Sequence, residues 1–150
     1  VQLCRVQEES PDDTTAAFYD RILAITNEEV FHAGEWALLT VRSTGDDSFN
    51  NIIAYQWKTN RDWRMIVVNV SAMVAQAYIH LNGQLEIDPH MRSVYTLYDR
   101  FNDQVYEGRQ EDFRQNGLYV RLDPMGCHIF SLEDGAAESR KNLRKPVQGV

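Results

Sequence analysis

From Trp36 onward the chain breaks into short apolar segments, mostly of period two, punctuated by turn residues. That rhythm constrains the fold more than any motif does. The segments "WALLTVR" (36–42), "IIAYQWK" (52–58), "WRMIVVNV" (63–70), "VAQAYIHL" (74–81) and "VYTLYD" (94–99) read as strands, as do a short "QVYE" (104–107), "GLYVRLD" (117–123) and "CHIFSLE" (127–133). Turn clusters "STGDDSFNN", "TNRD", "NGQLEIDPH" and "DPMG" separate them. "TNRD" is short enough to close a hairpin between 52–58 and 63–70. "EGRQEDFRQN" suits one or two helical turns between strands. Residues 63–70 are almost continuously apolar, which predicts a central strand buried on both faces. Residues 75–81 alternate, with Ala75, Ala77, Ile79 and Leu81 on one face and Gln76, Tyr78 and His80 on the other. That predicts a half-exposed strand beside the buried one.

The segment before Trp36 has a different period. Residues 1 to 9 read as an extended lead-in, and "SPDDTTAAFYDRILAIT" then opens a helix. Ser10 can cap it, Pro11 fits the first helical position, and Asp12 and Asp13 suit the positive end of the dipole. Phe18, Ile22 and Ile25 recur at helical spacing with Tyr19 and Leu23 beside them, and Asn27 is a stop. "NEEVFHAGE" reads as a turn-rich connector. One helix followed by about eight short strands predicts a mainly β fold, an antiparallel β-sandwich rather than alternating β-α units. The expected division is a lead-in and helix over 1–28, the sandwich over 29–133, and a polar tail over 134–150, with no internal repeat.

A chain of 150 residues can bury one proper core, and 43% hydrophobic with 25% charged residues is ordinary for a globular domain. The net charge of -7 argues against an extended phosphate-binding surface and hence against nucleic acid. The one basic cluster, Arg140, Lys141, Arg144 and Lys145, falls in the polar tail. No apolar run approaches the roughly 20 residues needed to span a bilayer, so no membrane partner is expected. No charged-then-apolar leader is evident, and Cys4 and Cys127 read as reduced, buried thiols of a cytoplasmic protein. A disulfide tying the N-terminus to the last strand is the alternative. A first residue of Val rather than Met is what a piece excised from a longer protein would show.

Chemistry-bearing patterns are scarce. His32, His80, His90 and His128 stand at no metal-ligand spacing, so neither a metal site nor a cofactor is expected. There is no G-x-S-x-G elbow and no glycine-rich phosphate loop. Cys127 and His128 are neighbours on a strand and point to opposite faces, so they cannot act as a pair. Asp46 and Asp47 lack the spacing of a calcium loop and read as an Asp-rich turn. The three Trp, seven Tyr and six Phe are dense for the length, and most belong in a core. Tyr78 shares its face with Gln76 and His80, Tyr119 with Arg121 and Asp123, and Trp63 adjoins a polar hairpin tip. Trp63, Tyr78 and Tyr119 are therefore the candidates for stacking on sugar rings, with edge packing against a neighbouring loop or domain as the plainer role.

In order, these segments resemble the C-terminal β-domain of bacterial alpha-amylase-superfamily glycoside hydrolases, in the maltogenic, neopullulanase and trehalose-synthase-like branch. "VQLCRVQEESPDDTTAAFYDRILAI" is similar to the family's exit from its catalytic barrel, and "VFHAGEWALLTV" to its first strand. "NNIIAYQWKTNRDWRMIVVNVSAMVAQAYIHL" resembles the two central strands, and "GLYVRLDPMGCHIFSLE" the closing pair. One departure is Met125 in "DPMG", where the family pattern has an aromatic.

The resemblance implies that catalysis lies elsewhere. Glycoside hydrolysis needs two carboxylates about 5–10 Å apart, and in this superfamily they sit at the mouth of a (β/α)8 barrel of about 250 residues. A 150-residue chain of helix and short strands cannot hold that barrel, so Asp99, Asp103 and Asp112 are not nucleophiles and no catalytic residue is expected. The implied role is a non-catalytic accessory domain whose partner is an upstream barrel and whose isolated form self-associates through uncovered apolar surface. The alternatives are an α-glucan-binding module and a stand-alone β-sandwich interaction protein.

Overall fold

The computed structural model describes residues 12–81 and 94–132. The readings for the 1–9 lead-in, Cys4, Ser10, Pro11, the loop with His90 and the 134–150 tail lie outside the described residues. The chain begins with helix α1 (Asp13–Thr26) and a short helix α2 (Glu29–Ala33). Strands β1 (Glu35–Leu38) and β2 (Thr40–Arg42), a 3-10 turn (Ser48–Asn51), β3 (Ile52–Lys58), β4 (Trp63–Asn69) and β5 (Ala75–His80) follow. Then come β6 (Val94–Asp99), β7 (Gln104–Arg109), α3 (Gln110–Asn116), β8 (Leu118–Leu122) and β9 (Cys127–Leu132). The strands form two antiparallel sheets, one of six in the order β1-β3-β4-β9-β6-β7 and one of three in the order β2-β5-β8. The predicted mainly β sandwich with one N-terminal helix is what the chain forms.

Local chemistry accounts for most boundaries. Asp12 caps α1, its carboxylate accepting from the Thr14 N–H at 3.1 Å. The β3–β4 hairpin closes through Thr59, whose hydroxyl accepts from the Asp62 N–H at 2.9 Å while its own N–H donates to Asp62 O at 2.8 Å. The connector after Asn27 contains α2, a helix that the dense turn residues of "NEEVFHAGE" disguise.

Two expectations are corrected. The segment 36–42 is not one strand, because the chain turns a corner at Leu39, which is buried, and β1 and β2 join different sheets. Leu39 stays bound to the large sheet through its N–H, which donates to Ala54 O at 2.9 Å. Strand β5 does not lie beside β4: it pairs with β2 and β8, and β4 lies between β3 and β9. An alternating strand needs only one buried face, and β5 obtains it across the sandwich rather than within the same sheet.

The main core lies between the sheets. Met65, Val67, Leu97 and Phe130 of the large sheet meet Ala77, Ile79, Val120 and Leu122 of the small one. Burying a Leu, Ile or Met side chain stabilises by about 1.5–3 kcal/mol each. A second core covers the other face of the large sheet, where Ile22 and Ile25 of α1 and Phe31 of α2 pack on Ile66 and Ile129. Strand β4 is therefore buried from both sides, as its almost continuous apolar run predicts.

Ion pairs hold the helices on this sheet. Glu28 accepts from Arg64 Nε at 2.8 Å and from Arg100 Nη2 at 2.6 Å, tying the α1–α2 junction to β4 and to the end of β6. Arg21 of α1 pairs with Asp103, which also accepts from the Tyr98 hydroxyl at 2.9 Å.

Candidate functional site

The small sheet presents its outer face unroofed among the described residues. Alternation turns Ala75, Ala77 and Ile79 of β5 inward with Leu118, Val120 and Leu122 of β8. Gln76, Tyr78, His80, Tyr119 and Arg121 consequently face outward. The register sets Arg42, Tyr78 and Tyr119 in one row across the three strands. The two tyrosine rings lie 5.7 Å apart at 60°, and Tyr119 is 49% exposed.

Hydrogen bonds fix part of this face. The Tyr119 hydroxyl donates to Gln76 Oε1 at 2.9 Å, and Gln76 Nε2 donates to Asp46 Oδ2 at 2.7 Å. Asp46 in turn accepts from the Ser48 hydroxyl at 2.6 Å and the Ser48 N–H at 2.9 Å. These bonds, from the Ser48 hydroxyl first and then the Gln76 amide, hold the Asp46 carboxyl below its usual range. Asp46 is thus the anchor of an Asp-rich turn, as the sequence predicts. His80 is held below its usual value by partial burial and then by the Arg42 guanidinium, so it is neutral at neutral pH. Neither Arg42 nor Arg121 makes an ion pair among the described residues.

Of the three aromatic candidates, the structure brings Tyr78 and Tyr119 together and puts Trp63 elsewhere. Trp63 starts β4 on its inward face, is 6% exposed and donates its indole N–H to buried Gln56 Oε1 at 2.9 Å. The polar hairpin tip beside it in sequence misleads, because the first residue of the strand already points into the core. Its ring offers no face to a ligand.

A second cluster, invisible in the sequence, closes one end of the large sheet. Asp99 has no exposed surface, and its carboxylate accepts from His128 Nδ1 at 2.6 Å, Asn102 Nδ2 at 2.6 Å and the Ile129 N–H at 3.2 Å. Burial would raise its pKa, but these bonds outweigh burial and keep the carboxyl below the usual range. His128 stacks on Phe130 with centroids 5.0 Å apart. Among the described residues no hydroxyl or thiol hydrogen-bonds to this pair, and its geometry serves structure. Cys127 lies on the opposite face of β9, as strand alternation requires. Burial, and then the Asp99 charge, raise its thiol pKa, so it stays protonated and unreactive at neutral pH.

The outer face of the large sheet exposes several large apolar side chains. Beside α1 runs a groove of about 770 Å³, lined by Phe18, Tyr55, Val68, Phe101, Met125 and Cys127 among others. Trp36, Leu38 and Ile53 lie on the same face at 53%, 59% and 45% exposure, and Phe18, Tyr19 and Leu23 of α1 are also exposed. Among the described residues no three His, Cys, Asp or Glu side chains converge as a metal ion would need, and no helix is long and apolar enough to cross a membrane.

The chain matches no family model and no curated protein sequence. It does match solved structures. An alpha-amylase from Geobacillus thermoleovorans, solved with acarbose, superposes with a TM-score of 0.64 at 14% identity, over 88% of this chain and 26% of that one. A noncanonic maltogenic alpha-amylase, AmyB from Thermotoga neapolitana, gives 0.56 at 15% identity, over 77% of this chain and 24% of that one. The chain thus spans about a quarter of the length of these enzymes. At such identity the likeness is one of fold, and the fold is that of a β-rich part of alpha-amylase chains.

Proposed function

We propose that this chain is the non-catalytic C-terminal β-domain of an alpha-amylase-like glycoside hydrolase acting on α-glucans, in the maltogenic branch that its segments resemble. It seats on an upstream (β/α)8 barrel through α1 and the outer face of the large sheet, and its role is to stabilise that barrel.

The observation that carries this reading is the uncovered apolar face. Trp36, Leu38 and Ile53 share one side of the large sheet at 45–59% exposure, next to a helix that exposes three more large apolar side chains. Surfaces of this kind on small domains mark interfaces. The enzymes that share the fold are about four times longer than the matched portion, which leaves ample chain to cover it. The chemistry fits as well, since two carboxylates close together in the sequence are engaged structurally: Asp99 by His128 and Asn102, and Asp103 by Arg21 and Tyr98.

The reading frame upstream of Val1 in the source DNA tests this directly. A continuous frame encoding a barrel with its carboxylate pair is expected, and a start codon at or just before Val1 would overturn the reading. In solution the chain alone should self-associate with rising concentration, and Trp36→Ser with Leu38→Ser should return it to monomer. A strict monomer at high concentration in gel filtration would remove the uncovered face as support.

A further inference from the structure

We infer that the turn between β6 and β7, residues 100–103, is a latch that fastens α1 to the sandwich, and that Asp99, a positioning residue with no bond to α1 among the described residues, sets its hold from inside the fold. The inference goes beyond the accessory-domain reading and does not rest on it, because every contact it uses lies within this chain.

Helix α1 needs a fastening beyond its own apolar contact. Of its 14 residues only Ile25 is buried, and Ile22 beside it completes a thin stripe on the large sheet. A helix of this length is marginal in water on its own, and an element with so little buried surface can open while the rest stays folded. The turn supplies the missing hold. Arg100 donates to Glu28 Oε1 at 2.6 Å, at the α1–α2 junction. The Phe101 ring meets Phe18 edge to face with centroids 5.6 Å apart. Asp103 pairs with Arg21, whose guanidinium also lies 5.5 Å from the centroid of the Phe101 ring. Three residues of one short turn thus grip the helical segment at Phe18, Arg21 and Glu28.

The remaining residue of the turn, Asn102, points the other way. Its Nδ2 donates to Asp99 Oδ2 at 2.6 Å and to Cys127 O at 2.9 Å. The N–H groups of Phe101 and Asn102 donate to Asp99 Oδ1 at 3.1 and 3.3 Å. The same carboxylate receives His128 Nδ1 and the Ile129 N–H, so it ties the turn to β9, inside the sheet. Asp103 sits at a φ of 53°, in the left-handed region that aspartate tolerates better than most residues. The turn is therefore a defined shape that aims Arg100, Phe101 and Asp103 at the helices, and Asp99 holds that shape. Oδ1 of Asp99 accepts from three backbone N–H groups and Oδ2 from two side chains. An asparagine has one acceptor oxygen and cannot serve both sets. Asp99→Asn consequently unpins the turn without changing any residue that grips α1.

Amide hydrogen exchange on the whole chain, read as the ratio of α1 protection to β4 protection, tests the latch. Asp103→Ala removes the bonds to Arg21 and Tyr98 and should lower that ratio about tenfold, with β4 still protected. Asp99→Asn should lower it at least as far. In the double variant the two losses should fall well short of adding, because both act through one turn. A carboxylate that served only global stability would instead lower α1 and β4 protection in the same proportion. Should Asp99→Asn not fold, Asn102→Ala replaces it, with a severalfold fall in the ratio expected. A ratio within about twofold of the parent in Asp99→Asn or its replacement, or full additivity in the double variant, would overturn the inference. Exchange reports on the helix and sheet of this chain alone, so the latch and the barrel-docking surface succeed or fail separately.

Discussion

Asp99 shows how much of a single residue's role depends on partners far away in the chain. In the sequence it ends "VYTLYD" and looks like a strand terminator. In the fold its carboxylate receives His128 from 29 residues downstream, together with Asn102 and two backbone N–H groups of the following turn. Because its folded pKa lies below the ordinary value, its contribution is complete above the unfolded pKa, near 4, and is lost as pH falls through the folded one. Asp99→Asn should therefore lower the urea midpoint at pH 7 and shrink the difference in stability between pH 7 and pH 3, which denaturation at the two pH values measures. Asn69 is a parallel case. It interrupts an apolar run, and its amide turns out to be wholly buried, donating to Met73 O at 2.6 Å and Asp123 O at 3.0 Å while accepting from Ser71. Composition shows such residues only as polar interruptions. Their partners come from loops whose approach no spacing rule predicts, whereas Trp63 misleads because the strand begins with it and its side chain already points into the core.

At the scale of elements, the sequence was most legible where one physical cause acts. Strand β3 runs from Ile52 to Lys58 as its alternation and the "TNRD" turn predict, and β6 from Val94 to Asp99 likewise. It was least legible where two causes compete. In "WALLTVR" the period of two runs unbroken by any turn residue, yet the chain leaves one sheet and enters the other at Leu39. Two adjacent leucines consequently have opposite fates, Leu39 at 4% exposure and Leu38 at 59%. Leu39→Ala should destabilise by about 2–5 kcal/mol, whereas Leu38→Ala should fall within about 0.5 kcal/mol of the parent, both read by chemical denaturation. Gly117 makes a related point. It opens the expected strand 117–123, but the strand begins at Leu118, and Gly117 itself caps α3 at a φ of 83°. A Cβ there would lie 2.6 Å from Ile79 O, so Gly117→Ala meets both a disfavoured backbone and a backbone clash.

For the whole molecule, mainly β character and a preceding helix follow from residue periodicity, but the strand order does not. Pairing β4 with β9 joins residues more than 55 positions apart, and nothing local in either segment names its partner. The two outer faces were half legible. The aromatic residues of the small sheet were identified in part, through Tyr78 and Tyr119, while the exposed face of the large sheet required knowing which strands α1 covers. Strand order has a further consequence, for the making of the protein. The last described strand, β9, lies inside the six-stranded sheet, between β4 and β6. During synthesis β4 has emerged long before its neighbour exists, and its bare hydrogen-bonding edge must wait until Leu132 has left the ribosome. The large sheet therefore cannot close progressively from the N-terminus. Chains stopped after Gly126 should accumulate as insoluble material, while chains stopped after residue 133 should remain in the soluble fraction, a comparison that fractionation after expression makes directly. For this fold, completion waits on the emergence of β9, and a premature stop on the near side of that strand leaves the large sheet in two parts.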